Sequence, residues 1–158
     1  MSEEDLGPIV EIRLLELPVQ LWLRTQQHTD ELIREFVLLG QQRRHDEAPL
    51  LPLPVRLGQL VEEVGGNYGS FSEEQETQLL AAVAAGEAAI DVTYRMPAAV
   101  GAAARHLGDL LSEVDEYCRR GEHLLTLETP PDLVAFREWY LEEFRRQIAG
   151  EPPTPWHG

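Results

Sequence analysis

The sequence predicts a mainly α-helical protein, an antiparallel bundle of about five helices with short extended segments able to pair as a small sheet. Three observations carry this. Five segments repeat apolar residues every three or four positions, three short pieces alternate apolar with polar residues, and Gly or Pro stands at most of the boundaries between them. An amphipathic helix has to hide its stripe against other helices, and a bundle does this economically.

Taken in order, residues 1–8 are acidic, contain Gly7 and Pro8 and show no apolar period, so a loose terminus is expected. Val10 to Leu14 alternates as a half-buried strand does. A long helix should begin near Pro18 and carry Val19, Trp22, Leu23, Leu32, Ile33, Phe36 and Val37 to about Gly40. Gln41 to Pro54 reads as a loop. Leu57, Leu60, Val61 and Val64 form a second helical stripe, with Gly65-Gly66 as its stop and Gly65 to Ser70 as a turn. Ser72 and Gln75 fit a capping box ahead of a helix running to Gly86, with Glu73, Glu74 and Glu76 where the helix dipole favours negative charge.

Ile90 to Tyr94 alternates again and leads through Pro97 into the clearest helix, with Val100, Ala104, Leu107, Leu111, Val114 and Cys118 on one seam. Arg119 and Arg120 in its last turn and Gly121 after it complete the pattern. A third extended piece, Leu124 to Leu127, precedes Thr129-Pro130-Pro131-Asp132, where Thr129 is the N-cap candidate. The last helix uses Leu133, Phe136, Tyr140, Phe144 and Ile148 and stops at Gly150. Residues 151–158 are a Pro-rich, non-helical tail. A single helical domain over 9–150 follows.

Composition narrows the function classes. With 13 Lys+Arg against 28 Asp+Glu in 158 residues, the formal charge is −15, which argues against nucleic acid or an anionic membrane as partner. All basic residues are Arg, so lysine chemistry is excluded. The lone Cys118 permits no intrachain disulfide and no apolar run approaches the length of a spanning helix, which points to a cytoplasmic protein, and with no phosphate loop, dinucleotide fingerprint or His-Glu-x-x-His no cofactor is expected.

Candidate chemistry is sparse. Arg24, His28 and Glu31 share a helix face, and an exposed polar face is the plainer account of them than a metal or proton-transfer cluster. No His has Glu three residues before it, which rejects a ferritin-like di-iron site. His28 and His106 are the possible phosphoacceptors of a phosphotransfer bundle, but Asp30-Glu31 and Asp109 follow them where a cation would be needed. Cys118, on the seam beside Arg119 and Arg120, reads as a small buried hydrophobe. Trp22, Trp139 and Trp156 are more large rings than one bundle face requires, and Trp is enriched where proteins meet. Trp22, Arg24, His28, Trp139 and Trp156 are therefore the candidate partner-binding residues, with docking of Trp156 on its own domain the favoured alternative for that ring.

The stretches Leu17-Pro18-Val19-Gln20-Leu21-Trp22, His28 to Phe36, Asp91 to Pro97 and Thr129 to Tyr140 resemble a group of small actinobacterial proteins. That group accompanies anti-sigma-factor ATPases and STAS-type antagonists in partner-switching stress regulation. The resemblance implies a non-enzymatic regulatory or sensory module that works by binding proteins, with anti-sigma or STAS-type regulators as partners and a homodimer as a further possibility. The contrasting expectations are a His-based phosphotransfer bundle and a ligand-binding helical protein.

Overall fold

The structure, a computed structural model, describes residues 6–43, 53–120 and 128–157. Its elements are β1 (Ile9–Pro18), α1 (Val19–Arg43), α2 (Leu53–Tyr68), a short 3-10 turn (Gly69–Phe71), α3 (Glu73–Ala84), β2 (Ala89–Pro97), α4 (Val100–Arg120) and α5 (Pro131–Ile148). The protein is mainly helical, as its periodicity predicts, and two of the three alternating pieces pair as an antiparallel ribbon. The third, Leu124 to Leu127, lies outside the described residues, as do 1–5, Gly121 and the side chains of Phe36 and Val37.

The ribbon is in register from Ile9 opposite Pro97 to Pro18 opposite Ala89. Alternation puts Ile12, Leu14, Val92, Tyr94 and Met96 on the core face and Glu11, Arg13, Asp91, Thr93 and Arg95 on the other. Strict alternation would next bury residue 16. A bulge between Leu14 and Leu17 inserts one residue, so that Leu17 is buried and Glu16 takes a left-handed backbone with φ +53°. The Glu16 N–H donates to Asp91 Oδ1 at 2.8 Å, which holds the bulge in place.

Helix glutamines bond to both outer edges of the ribbon. On β1, Gln147 of α5 accepts from the Arg13 N–H and donates to the Arg13 carbonyl, each at 2.8 Å. On β2, Gln75 of α3 donates to the Thr93 carbonyl at 2.8 Å and Gln78 to that of Asp91 at 3.4 Å. Arg13 and Thr93 face each other across the ribbon and turn their polar groups outward, where an edge needs partners.

Around the ribbon, one apolar cluster joins its inner face to Trp22, Leu79, Phe136 and Phe144. A second joins Leu32 of α1, Leu57 and Leu60 of α2, and Leu111, Val114 and Cys118 of α4. Helices α4 and α5 approach closely because residue 101 is Gly; a Cβ there would meet Ile148 at 3.2 Å. Among the described residues no helix is long and apolar enough to cross a membrane.

Several sequence expectations are corrected. Leu6 is buried, and the carbonyls of Leu6 and Pro8 accept from Ala99 and Ala98, so the chain is tied down from residue 6. Pro18 closes β1 instead of opening α1, which continues to Arg43; α2 already begins at Leu53, and the rest of the expected loop, 44–52, lies outside the described residues. Gly65-Gly66 does not stop α2, which runs on to Tyr68. A helical glycine costs only about 1 kcal/mol, less than the packing of Leu57, Leu60 and Tyr68 supplies. The capping box is not made: Ser72 Oγ donates to the Gly69 carbonyl, and Gln75 is committed to β2. By contrast, Gly86 and Gly150 end α3 and α5 with positive φ and paired hydrogen bonds back to the last turn, which local sequence alone can specify.

Because Gln147 is 8% exposed, its loss would leave both Arg13 groups short of partners. Gln147→Ala should lower stability by about 1–3 kcal/mol in urea titration. A loss below about 0.5 kcal/mol would mean that water serves this edge as well as the amide does.

Candidate functional site

A chiefly apolar cavity of about 300 Å³ lies between α1, α2, α4 and α5. Trp22, Thr25 and Ile33 line it from α1, Val64 and Gly65 from α2, Leu107 and Leu111 from α4, and Phe136, Arg137 and Tyr140 from α5. A second cavity of about 220 Å³ lies toward the ribbon, against Tyr94 and Met96. The two adjoin, sharing Val64, Gly65, Leu107, Tyr140 and Leu141. Leu107, expected to be buried on the α4 seam, is half-buried instead because it faces this space.

The inner stripe of α2 runs through Leu57, Leu60, Val61, Val64 and Tyr68, and exposed Gly65 beside it leaves the rim of both cavities without a side chain. A Cβ built on Gly65 meets nothing within 4 Å. Several polar side chains interrupt the apolar wall, among them Gln26, Thr29 and Arg137 in the larger cavity and Ser72 in the smaller. Thr25 Oγ1 is buried without a hydrogen-bond partner, and the hydroxyls of Tyr94 and Tyr140 share a bond of 2.9 Å. Burial pushes both phenols above their ordinary value, Tyr140 well above it, so both stay neutral and one donates to the other.

Beside the cavity the charges are consumed internally. Asp115, one residue past Val114 on the buried side of α4, accepts from Arg137 at 2.8 Å and from the Thr129 hydroxyl at 2.7 Å. Each member of the ion pair is about 8% exposed. Having given its proton to Asp115, Thr129 Oγ1 accepts from His28 Nε2 at 3.2 Å, which places the imidazole proton on that nitrogen. Thr129 is thus a tether between α1, α4 and α5, not the N-cap of α5, a position held by Pro130. Next to it, Arg24 binds Asp132 at 2.7 Å, and that hydrogen bond draws the carboxyl below its ordinary range.

The second polar centre clasps the tail. Glu143, 1% exposed, accepts from Arg146 and from the Thr154 N–H, both at 2.6 Å. Trp139 Nε1 donates to the Thr154 carbonyl at 3.0 Å, and the Trp156 N–H donates to Leu15 of β1 at 3.1 Å. The Trp156 ring stands edge-on to Trp139 and Phe136, with centroids 5.6 and 5.9 Å away. Trp156 docks on its own domain.

The candidate partner-binding residues therefore fall into three places. Trp22 is 4% exposed and belongs to the core and the cavity wall. Arg24 and His28 are brought together at the start of α5, each with an internal partner. Trp139 and Trp156 form the half-buried aromatic end against β1. Phe136 connects these places, touching the cavity on one side and both Trp rings on the other. Sequence reading missed Thr25, Gly65 and the Asp115–Arg137 pair. Only the pair left a signal, an acidic residue inside the Leu111–Val114–Cys118 stripe. No group of three or more metal-ligating side chains is placed to hold an ion among the described residues.

Comparison with family models, with curated proteins and with solved structures gives no match to the chain.

Removing one member of a buried pair strands the other. Asp115→Ala should cost about 3–5 kcal/mol in chemical denaturation, and a loss within about 1 kcal/mol would show that water already reaches Arg137. Cys118 is fully buried, and burial, reinforced by Asp115 and Glu128, pushes its thiol up to about 11. It should resist thiol reagents at pH 8 until the protein unfolds. Since the unfolded thiol releases its proton near 9.0 and the folded one near 11, stability should fall as pH rises across that window. Native-state labelling at pH 8 as fast as that of the denatured chain would contradict this placement.

Proposed function

We propose that this chain is a non-enzymatic regulatory or sensory module, a helical domain that takes a small molecule in its interior cleft and conveys occupancy to a protein partner. The observation that carries the reading is the apolar cleft lying beside buried charges that are already spent on one another. Ligand sites are mostly apolar hollows with a few polar groups, of about 300–1,000 Å³, and this one is at the lower end of that range. A phosphotransfer role for His28 has less support, because its Nε2 is engaged by Thr129 next to the Asp115 carboxylate.

The partner side of the proposal follows the resemblance to partner-switching proteins, which implies anti-sigma or STAS-type regulators in the cytoplasm, or a second copy of the chain. The charge of −15 favours a partner with a basic face. Phe136 supplies the physical link, since a ligand pressing on it from the cavity also presses on the Trp139–Trp156 end.

A ligand that binds only the folded state at about 100 times its dissociation constant adds about 2.7 kcal/mol, on the order of 5–10 °C in thermal midpoint for a chain of this size. Extracts of the source cells should raise the midpoint by that order, and mass spectrometry of the repurified protein should recover an unaltered small molecule. Recovery of a chemically converted molecule, or an unchanged midpoint with nothing bound, would overturn the reading.

A further inference from the structure

We infer that the cleft selects a neutral, chiefly hydrocarbon molecule bearing one hydrogen-bond-accepting oxygen, an alcohol, ketone or ester, with Gly65 as the residue that admits it and Thr25 as the residue that receives its oxygen. The inference rests on the sensory reading above and specifies its ligand.

Charge is the first constraint. Among the described residues, the ionisable side chains lining the smaller cavity are three tyrosines, Tyr68, Tyr94 and Tyr140, whose phenols burial pushes above their ordinary value and so keeps neutral. Arg137 is, among the described residues, the only charged one on the wall of the larger cavity, and Asp115 neutralises it at 2.8 Å in a buried pair. An anion would find no free cation there and would have to approach a chain of charge −15; a cation would lie against a guanidinium. A neutral molecule meets neither cost.

The orphan hydroxyl is the second constraint. Thr25 Oγ1 is shielded from water and bonds to nothing in the structure, although buried hydroxyls are nearly always satisfied. The residue lines the larger cavity, and a turn about its Cα–Cβ bond would bring the hydroxyl out of its shielded position to an accepting oxygen of a bound molecule.

Space is the third. Gly65 borders both cavities and is exposed, so it stands at their common rim, and the volume a side chain would take there is empty. Its neighbour Gly66 is also exposed with open space around its Cβ position, yet borders neither cavity. The two positions share helix geometry and differ in what a side chain would fill, which makes Gly66 the internal control.

The test uses the full chain with phenylnaphthylamine, a neutral fluorophore that brightens in apolar surroundings, and with n-decanol and decanoate as competitors. The parent should take up the fluorophore saturably. Gly65→Leu should weaken uptake at least about tenfold with an unchanged helical circular dichroism spectrum, while Gly66→Leu should leave it unchanged. Decanol should displace the fluorophore at lower concentration than decanoate. Thr25→Val, which keeps the side-chain shape, should weaken decanol by about threefold to tenfold while leaving fluorophore uptake as in the parent. Equal effects of the two glycine substitutions, decanoate competing better than decanol, or decanol unaffected by Thr25→Val would each overturn the inference while a binding cleft stands. A folded parent that takes up neither fluorophore nor decanol would overturn the sensory reading with it.

Discussion

A two-stranded ribbon leaves each strand with one unpaired edge, and the rest of this molecule is arranged around bonding to both. With no third strand on either side among the described residues, β1 and β2 expose backbone groups that would otherwise stay wet or recruit another chain. Here the partners are side chains. Gln147 mimics a strand residue by giving and taking one bond at Arg13, and Gln75 and Gln78 serve the carbonyls of Thr93 and Asp91. This fixes α5 against one edge and α3 against the other, so the helices are located by hydrogen bonds as well as by apolar contact. The tail continues the same work, with the Trp156 N–H meeting the Leu15 carbonyl two residues along β1.

Once α5 is fixed along β1, its other faces define the interior. Phe136, Tyr140 and Phe144 meet the ribbon and the cavities, Arg137 turns to Asp115 on α4, and Glu143 holds the tail. Both buried carboxylates are compensated by an Arg and by a threonine, Thr129 in one case and Thr154 in the other. Burying a carboxylate is tolerated only when charge and lone pairs are met in this way. The polar interior is thus structural, and the hollow beside it, bounded by Trp22, Val64, Leu107 and Tyr140, is what the frame leaves free for a ligand.

What was legible in the sequence is what local chemistry determines. Alternation in Val10–Leu14 and Ile90–Tyr94 marked the ribbon, the three-and-four spacing marked the helices, and Gly86 and Gly150 marked stops because a positive φ favours glycine. Where side chains bond far along the chain, the local rules failed. Ser72 and Gln75 have capping-box spacing, but Gln75 is claimed by a strand 18 residues away. Thr129 looks like an N-cap and is claimed by Asp115. Gly65-Gly66 looked like a break because its cost was weighed without the packing of α2. The cleft has no sequence signature, since an empty volume follows from how four helices meet.

The central claim is that this frame holds an apolar, ligand-accepting hollow open in the folded protein. Apolar cavities that stay dry take up xenon, whereas hydrated or collapsed ones do not. The most direct measurement is a crystal of the full chain pressurised with xenon. The account predicts xenon density between Trp22, Val64, Leu107 and Tyr140, with the Gln147 and Gln75 bonds to the ribbon intact. A Leu107 or Tyr140 side chain rotated into that volume, or a chain of ordered waters filling it, would contradict it.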